Sequence, residues 1–174
     1  MIKKKQLDAQ IVICGRGGQG ILFLTRLLDE AAILLGSNVI SSETHGMAMR
    51  GGSVTSHIRI GNYLSPLIPS GKGDFLFAVN ENEEQFNRHL MKKGAHLYMN
   101  SSARMPNAIW ADKIARELGA PRAANLVLLG FATAHGDFPF QHAHIHAVLE
   151  KISPSKALEM NLRAFNEGFQ TVAN

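Results

Sequence analysis

Apolar and polar positions alternate along this chain with two different periods. Ala9–Cys14 (AQIVIC) is a short β-branched run without alternation, the pattern of a strand buried on both faces. Ile21, Leu24, Leu28, Ala31, Ala32 and Leu35 then recur three and four apart, with Arg26, Asp29 and Glu30 between them. That is an amphipathic helix, and Gly36 is placed to end it. Asn38–Ser42 predicts a second strand, so strand, turn, helix and strand make a βαβ unit with its two strands parallel and a right-handed crossover. Glu43–Gly52 mixes polarity around glycines and reads as a loop. In Ser53–Ile60 the residues Val54, Ser56, Ile58 and Ile60 take one face, and Ser53, Thr55, His57 and Arg59 the other. Gly61-Asn62 is a two-residue hairpin signal, with Tyr63–Ile68 as the returning strand and Pro66 marking that strand as an edge.

Asp74–Val79 predicts another buried strand. Asn80 can cap the following helix, with Glu81, Glu83 and Glu84 in its first turn, Lys92 and Lys93 closing it and Gly94 after it. Ala95–Asn100 is a strand, Ala108–Trp110 a short one, and a helix follows over about Asp112–Leu118. Ala124–Ala134 is apolar nearly all round, a helix buried against the core or against another subunit. His142–Lys151 is helical, and Ser153-Pro154 opens the last helix with proline in the favoured first position. Leu158, Leu162, Phe165 and Phe169 form its apolar stripe. No repeat, low-complexity segment or linker interrupts the pattern. The expectation is one α/β domain over residues 1–174: a three-layer α/β/α arrangement on a mixed, mostly parallel sheet with an antiparallel hairpin.

Composition narrows the functional classes. The 174 residues are 45% apolar and 18% charged, ordinary values with charge slightly low. The net charge of +4 owes part of its excess to Lys3, Lys4 and Lys5, and no basic stripe with interleaved aromatics points to nucleic acid. Cys14 is the single cysteine, so no disulfide forms within the chain and a cytoplasmic location is expected. One thiol cannot hold an iron–sulfur cluster. No apolar run approaches the roughly 20 residues of a membrane span, and the Lys-rich start lacks the apolar core of a signal peptide.

Two segments carry candidate chemistry. Gly15-Arg16-Gly17-Gly18-Gln19-Gly20 lies between a strand and a helix and formally matches the dinucleotide fingerprint, with Glu43 about 20 residues on as a ribose-binding acid would be. A turn so rich in glycine can equally let another backbone approach, and both readings stand on the pattern alone. The second segment is Ser42-Glu43-Thr44-His45-Gly46-Met47-Ala48-Met49-Arg50-Gly51-Gly52-Ser53-Val54. Arg50 can clamp a carboxylate or phosphate bidentately, or bond loop carbonyls. His45 reads as a structural donor beside Glu43, and Met47 and Met49 as an adaptable protein contact or as core filler. His142, His144 and His146 cannot converge on a metal if the segment is helical, because only i and i+4 share a face; solvated surface is expected for them. His135 and Asp137 lack a partner nucleophile.

Taken together and in this order, GxGGQG after the first strand and SETHGMxxRGGSV before the next resemble the gamma subunit of the 2-oxoacid:ferredoxin oxidoreductases. The HGM…RGGSV…SHIRIG form is most similar to the beta subunit of indolepyruvate:ferredoxin oxidoreductase; pyruvate- and 2-oxoglutarate-type relatives tend to have Gly-Pro-Glu where this chain has His45-Gly46-Met47. The similarity extends through Asn125–Gly130 to the last helix. The resemblance implies a subunit of an enzyme that oxidatively decarboxylates 2-oxoacids, aryl pyruvates among them, to acyl-CoA and passes electrons to ferredoxin. It implies thiamine diphosphate with Mg, and iron–sulfur clusters, on alpha- and beta-type partner subunits, with coenzyme A as substrate and a gamma unit that helps cover its site. The isolated chain is then expected to bind no cofactor and to be inactive. Gly15, Arg16, Gly17, Gly18, Gln19, Gly20, Glu43, Thr44, His45, Arg50, Gly51, Gly52 and Ser53 become candidates for a shared site or subunit interface, with no catalytic residue and no metal ligand. Arg16 departs from the small or aliphatic residue usual there, and either pairs with a phosphate or a partner's carboxylate or points to solvent. The alternative is a free-standing NAD(P)- or flavin-binding Rossmann-like domain.

Overall fold

In a computed structural model, which describes residues 7–46 and 51–173, the apolar run at the start is strand β1 (Ala9–Arg16). Helix α1 (Ile21–Leu34) follows and buries Ile21, Leu24, Leu27, Leu28, Ala31 and Ala32. It stops where Gly36 turns left-handed (φ 73°), so that Gly36 and Ser37 N–H close back onto the Ile33 and Ala32 carbonyls. Strands β2 (Val39–His45), β3 (Ser53–Ile60), β4 (Gly73–Ala78), β5 (Met91–Asn100) and β6 (Ala108–Ile109) complete one sheet, in the order β2-β3-β1-β4-β5-β6. The pairs β2–β3 and β3–β1 are antiparallel, and β1–β4, β4–β5 and β5–β6 are parallel.

The expected α/β class with a mixed, mostly parallel sheet is what forms, but several local assignments change. Both β1 and β2 run antiparallel to β3, so they are parallel to each other as expected, yet β3 is inserted between them. The hairpin is accordingly β2–β3, and Glu43, Thr44 and His45 belong to β2 rather than to a loop. Tyr63–Ile68 forms no strand. Its carbonyls are taken up by a side chain instead: Arg59 Nη1 donates to Ser65 O (2.9 Å) and Leu67 O (3.2 Å), and its guanidinium lies 3.9 Å from the centre of the Tyr63 ring. Pro66 and Pro69 have no N–H to offer a ladder.

The sheet's two faces are covered unequally. On one side Ile11, Ile13, Ile58, Phe75 and Phe77 pack under α1, α3 (Ala111–Glu117), α4 (Ala124–Ala134), α5 (His142–Ile152) and α6 (Leu158–Ala173). On the other, Val12, Cys14, Leu76, Ala78 and Met99 are covered by Ile68 of the 61–72 segment and by Leu90, which follows the short α2 (Glu81–Asn87). Asn80 does cap α2, accepting from Asn82 N–H. That helix ends well before Lys92 and Lys93, which lie in β5, where Lys92 Nζ pairs with Asp74. The last helix starts at Leu158 rather than beside Pro154, which instead accepts from Ala157 N–H in the preceding turn. All-round apolar α4 is buried by α6, crossing where Gly130 faces the Phe165 carbonyl and Gly168 faces the Val127 carbonyl.

Candidate functional site

The glycine turn is folded by its own chemistry. Gly18 and Gly20 take left-handed conformations (φ 95° and 74°), which only glycine adopts freely. Gln19 Oε1 accepts from Arg16 N–H (2.7 Å) and Gln19 N–H returns to Arg16 O (3.1 Å), closing the turn. A Cβ at Gly15 would stand 2.7 Å from Ile21 Cδ1. Gly20 begins α1 without a side-chain cap, and its carbonyl accepts from Asn125 Nδ2 (3.1 Å), tying the turn to the start of α4.

Fold and turn bring the two candidate segments together. Arg16 pairs with Ser53 in the β1–β3 register, and Gly17 N–H donates to Gly52 O at 2.9 Å. A Cβ on Gly17 would lie 3.3 Å from Gly51 N. In the dinucleotide fingerprint this glycine leaves room for a pyrophosphate; here the chain's own backbone fills that room. Glu43 is displaced as well. It sits on β2, two strands from β1, about 10 Å in strand spacings rather than about 5 Å. Both observations count against the free-standing dinucleotide-binding reading.

Thr44 and His45 lie at the exposed end of β2, where Thr44 Oγ1 donates to Thr55 O (3.3 Å) and Gly46 N–H to Ser53 O (2.8 Å). Arg50, Met47 and Met49 fall outside the described residues. Arg16 does not point idly to solvent: its Nε reaches Glu83 Oε1 at 3.2 Å, against a carboxylate only 4% exposed. Glu84 beside it is held by Arg88 through two bonds of 2.7 and 2.9 Å. Burial first, and then the neighbouring Glu83 and Glu84, push the Cys14 thiol up to about 12. Such a thiol stays protonated, the opposite of a cluster ligand.

A cavity of about 610 Å³ adjoins the turn on the α1 side, and the sequence reasoning did not anticipate it. Gly18, Gly20 and Phe23 line it together with Arg122, Asn125, Lys156 and Met160. The helix starts at α1 and α4 both lack a side-chain cap, and Arg122 and Lys156 add positive charge, so its polar end suits an anion. The signals were the Gly119-Ala120-Pro121 and Ser153-Pro154 turns, whose convergence on the glycine turn no spacing reveals.

The histidines of α5 are half-buried rather than fully solvated. His142 Nε2 meets Asn166 Oδ1 (2.8 Å) and its ring packs on Phe165 and Phe169; His144 Nδ1 accepts from Gln141 N–H (3.1 Å) in a capping box; His146 pairs with Glu150 (3.7 Å). Asp137 lies 3.6 Å from His96, and His135 Nδ1 2.8 Å from Phe131 O.

Among known proteins, the family described as pyruvate ferredoxin/flavodoxin oxidoreductase matches residues 10–171. Indolepyruvate oxidoreductase subunit IorB of Methanothermobacter thermautotrophicus is 31% identical, over 96% of this chain and 99% of the relative. The subunit of the same description from Archaeoglobus fulgidus is 30% identical, over 91% and 92%. The crystal structure of the keto/oxoacid ferredoxin oxidoreductase gamma subunit from Geobacter sulfurreducens PCA superposes with a TM-score of 0.77 at 25% identity, over 95% of this chain and 99% of that one.

Proposed function

The chain belongs to the pyruvate ferredoxin/flavodoxin oxidoreductase family, and from that premise we propose that it is the accessory small subunit of an indolepyruvate-type 2-oxoacid:ferredoxin oxidoreductase. In this reading residues 1–174 form one gamma-type domain that works in the cytoplasm beside a large subunit carrying thiamine diphosphate, Mg and the iron–sulfur clusters. The holoenzyme decarboxylates an aryl pyruvate oxidatively, forms the acyl-CoA and reduces ferredoxin. The isolated chain has no turnover. The observation that carries this reading is the Gly17–Gly52 closure, which spends the glycine turn on the chain's own second motif rather than on a private nucleotide.

The edge made by Gly15–Gly20 and Ser53 meets the large subunit, and Arg50 serves that shared boundary. The adjoining cavity, with Arg122 and Lys156, suits the phosphates of coenzyme A. The chain's part is to position and to exclude water, while electron transfer and carbon chemistry belong to groups held by its partner. The test is co-purification: the two subunits expressed together should form a complex that reduces ferredoxin with indolepyruvate and coenzyme A, and the chain alone should not. Gly17→Val should reduce assembly of that complex. A saturable NAD(P) or flavin signal from the isolated chain, weakened by the same substitution, would overturn the reading.

A further inference from the structure

The two edges of the sheet are finished differently. At one end β6 is only two residues long, which leaves little to pair with. At the other, β2 runs for seven residues as the terminal strand, with no proline, lysine or bulge along it and Glu43 as its one acidic side chain. Proteins commonly blunt such an edge with one of those devices.

The hydrogen bonds show which groups this edge presents. Gly61 N–H donates to Asn38 O (2.9 Å) and Gly46 N–H donates to Ser53 O (2.8 Å), at the two ends of the β2–β3 register. Bonded pairs alternate along an antiparallel ladder, so residues 40, 42 and 44 also turn their main chain toward β3. Val39, Ser41, Glu43 and His45 therefore turn their N–H and C=O groups outward, where no strand among the described residues meets them. Val39, Ile40, Ser41, Ser42 and Glu43 are half-buried, so a partner strand would cover their side chains too.

We propose that β2 pairs antiparallel with β2 of a second copy across a two-fold axis at Ser42, joining the two sheets into one. The sequence of the strand selects that register. Centred on Ser42, Val39 faces His45 and Ser41 faces Glu43 of the second copy, Ile40 faces Thr44, and every outward main-chain group is paired. Moving the axis to Glu43 sets two carboxylates opposite each other, which is unfavourable. Moving it to Ser41 leaves His45 without a partner. Self-complementarity of this kind is what a two-fold interface requires, and the inference is independent of the function proposed above.

The test is the mass of the full-length chain in solution across a wide range of concentration, by light scattering coupled to gel filtration. The expected result is a dimer that converts to a monomer with Glu43→Pro or His45→Pro. Those N–H groups point away from β3, so proline removes only the outward bond and the far-ultraviolet circular dichroism should be unchanged. Amide exchange gives a second readout: the Ser41 and Glu43 amides should be protected in the dimer, and the Ser41 amide should lose that protection in His45→Pro. A wild-type chain that stays monomeric, including one whose β2 pairs only with the large subunit, overturns the proposal. So does a proline variant that is folded and still dimeric.

Discussion

At Arg16, sequence pattern and structure diverge for a physical reason. An arginine next to a glycine turn can reach an outside anion or lie in solvent, and only the arrival of α2 supplies the Glu83 carboxylate 3.2 Å away. The pair joins a nearly buried acid to a half-exposed base. Breaking a fully buried pair costs about 3–5 kcal/mol; solvent screening of the exposed partner lowers this. Arg16→Ala is expected to destabilise the chain by about 1–2 kcal/mol in urea unfolding, and Glu83→Gln added to it should recover part of the loss, because the uncompensated charge goes with it. A purely additive double variant would show that the pair does not interact. The glycines beside Arg16 were legible as a turn, since their number and position after a β-branched run left little else. Their use was not legible, because Gly51 and Gly52 approach from far along the chain.

The helices α4 and α6 show the same limit at the next scale. Each was readable as a helix, one from its all-round apolarity and the other from its stripe. Their crossing depends on two glycines that add nothing to either pattern. A methyl at Gly130 or Gly168 would run into the main chain of the other helix, well inside van der Waals contact. In an open helix, Gly→Ala stabilises by about 0.5–1 kcal/mol. Here Gly168→Ala is expected to destabilise by about 3 kcal/mol, the upper end of ordinary overpacking, because backbone cannot yield as a side chain does. The sign of the change in a denaturation midpoint is the check: a stabilised variant would mean that the helices do not touch at this point.

For the whole molecule, the thinner cover on the second face of the sheet is the vulnerable part. The 61–72 segment has no ladder of its own and is pinned by Arg59, by Tyr63 donating to Asp8 (2.5 Å) and by Ile68 N–H donating to His57 Nδ1 (3.3 Å). His57 is nearly buried, and burial pulls its pKa below the ordinary 6.5. The unfolded chain therefore takes up this proton first as pH falls. The contribution is fully present above pH 6.5 and is lost as pH drops through the lower folded value. His57→Gln keeps an acceptor and does not titrate, so wild-type stability should fall more than the variant's between neutral and mildly acidic pH. Parallel losses in urea titrations at the two pH values would remove His57 from the account.

The sequence by itself determined the number and kind of most elements, the α/β class, the position of the glycine turn and the family. These follow from local periodicity and from two motifs read in order. Tertiary structure alone decided that β3 lies between β1 and β2, that Tyr63–Ile68 is a strap rather than a strand, and that the cavity beside Gly18 draws on turns more than 100 residues distant. Hydrophobic periodicity reports which face of an element is buried, and is silent about the neighbour that buries it. The glycine turn is the clearest case: its conformational freedom was written in the chain, and the group that uses that freedom came from the fold.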